Sequence, residues 1–311
     1  MLFRSAVGRL PLSGDALQNY VQALVTGWAD ARVDGTALVW AVEHDAADLT
    51  SQVKSMVTGP LSEALRQILE VRVVEGDYAT VLGLLTALGQ RQAGLVVTSS
   101  HGMSGPLGEQ ARLRATLGLP VDVQGSTVPL GGLVKNLPPG AVWFAQAGYS
   151  AGNDADSRYD GLVQTDSAIF EIVSAVAALG SSATPAARSL LGMPKPIRGM
   201  FGYVEPFFNW TLRIAQGERG FTDRLVEGIL GIAQGKPLGL AFSDYYTSVG
   251  MLYQRWAMES NMPPDDSAAL DALKLRLAAK TRQSLVLLGD PTAVLAMPDG
   301  GGMSATPGSA S

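Results

Sequence analysis

Short apolar runs bounded by small and polar residues recur along the chain, with amphipathic stretches between them. The runs are TALVWAVEH from Thr36, VRVVEG from Val71, GLVVTSS from Gly94, AVWFAQA from Ala141 and IRGMFGYVEP from Ile197. Their lengths and their Val, Ile and aromatic content predict strands. A last short strand is expected in SLVLLGDP. Two runs, GLVVTSSHGMSG and AVWFAQAGYSAG, stop abruptly in small and polar residues. That is the pattern of a buried parallel strand that delivers a loop to the edge of a sheet.

Between the runs the apolar spacing is helical. Leu17, Tyr20, Val21, Leu24, Val25 and Trp28 follow the i, i+3, i+4, i+7 rule, with Asp15 placed to cap. Residues 46–69 read as helix with a break at Gly59-Pro60. Val81, Leu84, Leu85 and Leu88 form one face after Asp77. Ile169, Ile172, Val173 and Val176 form another, and Leu270, Leu273 and Leu277 a third. Further helices begin near Thr222 and Pro237. Residues 103–139, rich in Gly and Pro, form an excursion with a short helix near 131–136.

Strand and helix alternating at this spacing imply right-handed crossovers. The expected fold is α/β, a three-layer αβα sandwich with a mostly parallel sheet. Ligands of such sheets bind at the carboxyl ends of the strands. His101 and the loop from Ala147 both lie there. No repeat or linker interrupts the pattern, so residues 1–298 are expected to form one domain. Residues 299–311, mostly Gly, Ser, Ala and Pro, are expected to form a disordered tail. The opening MLFRSAVGRLPL reads as a strand end and a Gly-Arg turn, which leads us to expect missing upstream sequence.

Composition narrows the function. Of 311 residues, 47% are apolar and 16% charged, as in a soluble globular protein. No apolar run reaches the roughly 18–20 residues of a membrane helix, and no signal-peptide core is seen, so no membrane partner and a cytoplasmic place are expected. A net charge of −5 without a Lys/Arg cluster argues against nucleic acid. The chain has no cysteine, which excludes disulfides, thiolate metal sites and a thiol nucleophile. With His44 and His101 as the only histidines, no metal or cofactor is expected. Oligomeric state is not legible.

Gly148-Tyr149-Ser150-Ala151-Gly152 matches G-x-S-x-G, the nucleophile elbow of α/β-hydrolases, and follows a predicted strand. Ser150 would then be the nucleophile of a serine hydrolase. Those enzymes draw their base from a histidine later in the chain, and no histidine follows His101. The polar stretch from Asn153 to Gly161 also replaces the helix an elbow needs.

The opposite order, histidine first and nucleophile second, is that of the caspase-like cysteine peptidases. Several segments resemble that clan, especially its gingipain-like and CHAT-type bacterial branches. AVGRLPLSGDALQNYVQAL resembles the gingipain "GR-P" turn and helix. GLVVTSSHG resembles the strand carrying the family's His-Gly, here His101 and Gly102. AVWFAQAGYSAG resembles the strand that ends in "SAC", with Gly148 where the family has cysteine. RGMFGYVEPFFNWTL resembles a "GHVE" strand with Tyr203 for histidine, and LVLLGDPTAVL resembles the closing "LLGDP" strand.

The resemblance implies a caspase-like fold and a peptide or protein ligand. It implies His101 as general base and acid, and backbone N–H groups near Gly102 as oxyanion donors. The nucleophile position, Gly148, has no side chain. A peptidase homologue that binds without cleaving, a nucleophile moved to Ser150, a chain carrying an inactivating substitution and a non-catalytic partner-binding module are the open alternatives. Asp122, between the two loops, is the candidate for a pocket recognising a basic side chain.

Plainer roles stand beside these. His101 could simply bond a loop carbonyl, Ser150 and Asp122 could be turn residues, and His44 a solvated residue before a helix. Asp290 reads as a turn former ahead of Pro291. Phe201, Tyr203, Phe207, Phe208 and Trp210 read as core and groove wall.

Overall fold

The computed structural model describes residues 7–31, 33–159, 161–208, 212, 221–261 and 266–295. The expected tail at 299–311, the first six residues and Trp210 lie outside the described residues.

Six strands form the central sheet: β1 (Ala37–Ala41), β2 (Val71–Glu75), β3 (Leu95–Ser99), β4 (Val142–Gln146), β5 (Gly199–Tyr203) and β6 (Leu285–Gly289). Their order is β2-β1-β3-β4-β5-β6. The first five are parallel, and β6 runs antiparallel to β5. β1, β3, β4 and β5 are buried along their whole length, which is why they read as unbroken apolar runs. β2 is the more exposed edge. At the other edge the N-terminal segment adds to β6. Arg9 N donates to Leu287 O at 3.1 Å, and Gly289 N donates to Arg9 O at 2.8 Å. The GR-P and LLGDP segments, far apart in sequence, therefore meet.

The helices are α1 (Gly14–Val25), α2 (Leu49–Val53), α3 (Gly59–Leu65), α4 (Val81–Gln90), α5 (Gln110–Thr116) and α6 (Leu130–Asn136). They continue with α7 (Ala168–Ala177), α8 (Pro185–Gly192), α9 (Phe221–Ala233), α10 (Leu238–Ala241), α11 (Ser243–Ser260) and α12 (Asp266–Gln283). Helices α1, α4, α6 and α8 neighbour one another in one layer. Helices α3, α9, α10 and α11 make the other, with α12 packed on α11. Among the described residues no helix is long and apolar enough to cross a membrane.

Phe242, between α10 and α11, stacks on Phe144 of β4 with centroids 6.0 Å apart and meets Phe201 of β5 at 4.5 Å. All three are fully buried. Burying one such ring contributes roughly 1.5–3 kcal/mol before entropy is counted. Trp143 is buried too, and its indole N–H is satisfied by Thr98 Oγ1 at 2.9 Å across the β3–β4 pair.

Several local expectations are corrected. α1 is preceded by Ser13 at its cap, with Asp15 inside its first turn. The helix ends before Trp28, which adopts φ 55° and donates Nε1–H to Pro196 O at 3.1 Å. Thr80, not Asp77, caps α4 by accepting from Gly83 N. Gly59-Pro60 does not break the helix. Residues Lys54–Thr58 form a π-turn, Gly59 N donates to Lys54 O, and Pro60 sits in the first turn of α3, where its missing N–H is harmless. Leu270 and Leu273 of α12 are exposed, and the buried apolar positions are Ala272, Leu275, Ala278 and Ala279. That face meets α11 rather than the sheet, and its small residues allow the close approach. The excursion holds α5 as well as the expected α6.

Candidate functional site

Parallel pairing in register sets the site. Ser99, the last residue of β3, lies opposite Gln146, the last of β4. His101 and Gly148 each stand two residues further on, so their loops leave the sheet side by side. On the other side of β3, Ser99 pairs with Ala41, the end of β1. From there the chain passes His44 and reaches Asp48, the N-cap of α2.

Asp48 is the residue the sequence reasoning passed over. His101 Nε2 lies 2.9 Å from Asp48 Oδ2 and 3.1 Å from Oδ1. Asp48 Oδ1 also accepts from Thr50 N at 2.7 Å and from Thr50 Oγ1. Burial pushes the Asp48 carboxyl up, but the bonds from Thr50 and His101 outweigh it and hold it below the usual carboxylate range. Thr50 and His101 together hold the carboxylate in its charged form. His44, expected to be merely solvated, lays its ring against that of His101, with centroids 5.3 Å apart and planes 14° apart. The signal for Asp48 was present as Asp48-Leu49-Thr50, an N-cap pattern just after the first strand.

Gly102 and Gly148 touch through their backbones. A Cβ on Gly102 would lie 2.0 Å from Gly148 O, so only glycine allows the two loops to close up. Gly148 has more room. A Cβ there would meet Pro206 Cα at 3.3 Å and Phe207 N at 3.5 Å, tight contacts rather than a clash. His101, Gly102, Gln146 and Gly148 line a cleft of about 140 Å³ whose walls come from α2, α7 and the segment after β5. The His101 side chain is 44% exposed, so it is accessible there.

Ser150 and Asp122 are not in this cleft. Ser150 is 1% exposed, and its Oγ donates to Ala145 O at 2.9 Å and accepts from Tyr203 N at 3.0 Å. It ties β4 to β5, and the chain continues into a short ladder at Gly152–Asn153 rather than a helix. Both features are at odds with a nucleophile elbow. Asp122 is 1% exposed and accepts from the backbone N–H groups of Val81, Gln124 and Ser126. Those three bonds hold a turn and leave no reach toward a ligand. Tyr203 is buried, and its hydroxyl donates to Gln146 Oε1 at 3.0 Å beneath the cleft. Asp290 holds its turn by accepting from Thr292 N at 2.7 Å.

The architecture is a mixed α/β one, a mostly parallel central sheet flanked by helices, with the cleft at the carboxyl ends of β3 and β4. The fold is of the caspase-like type. The crystal structure of the Arg-specific cysteine proteinase gingipain R is similar, with a TM-score of 0.50 and 13% sequence identity over 93% of this chain and 55% of that chain. This chain therefore spans about half the length of that structure, and at that identity the likeness is one of fold. No family model and no curated protein sequence matches the chain.

Proposed function

We propose that this chain is a caspase-fold peptidase homologue that binds a peptide across the cleft and does not cleave it. In this reading His101 is the retained base, Asp48 its orienting partner and Gly148 the vacant nucleophile position. The backbone at Gly102 is the donor for a carbonyl oxygen. In the neutral imidazole, a hydrogen on Nε2 shared with Asp48 leaves the lone pair on Nδ1, ready to take a proton. What is missing is an acid for it to act on, because the chain has no cysteine. The observation that carries the reading is the close approach of Gly102 to Gly148 beside a His101 held by Asp48.

The serine-hydrolase alternative is disfavoured by Ser150. Its oxygen is committed to two buried backbone groups, and attack would leave Tyr203 N unpaired.

Gly148→Cys tests the proposal. In that variant the thiol proton would pass to His101, the thiolate would add to a peptide carbonyl, and the proton would go on to the leaving amine. Turnover of a peptide panel is expected in Gly148→Cys and its loss in Gly148→Cys combined with His101→Ala. The wild type should show peptide binding and no turnover. Turnover by the wild type that disappears in Ser150→Ala would overturn the reading.

A further inference from the structure

The walls of the cleft are mostly apolar, with Thr50, Ser99, Ser100, Ser104 and Gln146 among the lining residues beside His101. Leu49 and Val53 come from α2, Ile172 and Val173 from α7, and Phe207 and Phe208 from the segment after β5. The two phenylalanines are backed edge-on by other rings. Phe207 meets Tyr203 with centroids 5.2 Å apart and planes at 67°, and Phe208 meets Tyr159 at 5.1 Å and 89°. Rings braced from behind make a fixed wall rather than one that folds aside.

Among the described residues, no carboxylate lines this space. Asp48 has both oxygens on His101 and one also on Thr50. Glu205 is 1% exposed, and its oxygens accept from Arg158 N at 2.6 Å and Ser157 Oγ at 3.0 Å. Asp122 is bound to three backbone N–H groups elsewhere. A guanidinium or ammonium entering the cleft would give up water without meeting an anion, the unfavourable case for a buried charge. An aliphatic or aromatic side chain would exchange water for apolar contact. The cleft volume of about 140 Å³ is close to the roughly 150 Å³ apolar space that accommodates a benzene ring.

We infer that the cleft selects a neutral apolar side chain of leucine, methionine or phenylalanine size in its bound peptide, and rejects arginine and lysine. This rests on the peptide-binding reading above and adds the chemistry of the ligand. It also separates this chain from the arginine specificity that the name of gingipain R carries.

The test uses the wild-type protein and fluorescein-labelled tetrapeptide amides that differ only in their last residue: Leu, Phe, Arg or Asp. Fluorescence anisotropy is expected to show the Leu and Phe peptides binding at least about tenfold more tightly than the Arg peptide. Ile172→Asp, which places a carboxylate at a half-buried wall position, is expected to reverse that order, with its melting curve confirming the fold. Arg binding by the wild type that equals or exceeds Leu binding would overturn the inference while leaving the peptide-binding reading standing. Failure of all four peptides to bind would remove that reading and the inference with it.

Discussion

The loops that leave β3 and β4 start at the same level of the sheet and treat their polar side chains in opposite ways. After β3, His101 stands open to the cleft with one carboxylate behind it. After β4, the hydroxyl of Ser150 is folded beneath the loop and spent on two backbone groups. The position that faces the cleft there is a glycine. A strand end at the right edge is thus not enough to make a reactive group. Spare hydrogen-bonding capacity and access to the ligand are also required.

Mutations can break this contrast. Gly102→Ala should do the most harm, because its Cβ would lie 2.0 Å from Gly148 O and force the two loops apart. We expect a loss of about 3 kcal/mol in urea unfolding. Ser150→Ala leaves the buried Tyr203 N–H without its partner, and about 2 kcal/mol should be lost. A near-neutral result would show that the hydroxyl is not framework. Gly148→Ala meets its nearest atom at 3.3 Å, so a cost under about 1 kcal/mol is expected. A large gap between the two glycine variants is the sharpest form of the comparison.

The smallest effect should come from Asp48→Asn. The folded carboxyl of Asp48 is held below its usual range, so its contribution is complete above the unfolded value of about 3.9. It fades as pH falls through the folded value. The pair with His101 is partly exposed, so the difference between wild type and variant should be under about 1 kcal/mol at neutral pH. It should disappear once pH falls through the folded value and the carboxyl is protonated. A difference that persists with the carboxyl protonated would contradict this assignment.

The sheet was readable because β1, β3, β4 and β5 are buried on both faces and so appear as apolar runs without alternation. The two strand ends were readable for the same reason, since an apolar run that stops at His101 or Gly148 marks where the chain leaves the sheet. Asp48 was not, because nothing local says that β1 lies beside β3. Only the order of strands brings the loop after β1 to the imidazole. Asp122 and Ser150 misled in the other direction. Both are polar residues between apolar stretches, and their backbone partners come from other segments that no sequence window contains. The apolar face of α7 was recognised as a face. That part of it lines a cleft rather than core follows from its half-exposed Ile169 and Ile172.

The π-turn at Lys54–Thr58 carries one more consequence. An added residue in a turn rotates everything beyond it by about 100° relative to a regular helix. The helix therefore carries two apolar stripes in different phase. Leu49 and Val53 before the turn face the cleft, while Leu61 and Leu65 after it are buried in the core. Length and phase are coupled here, so removing one residue from 54–58 would turn the cleft-facing stripe of Leu49 and Val53 out of phase with the core-facing stripe of Leu61 and Leu65.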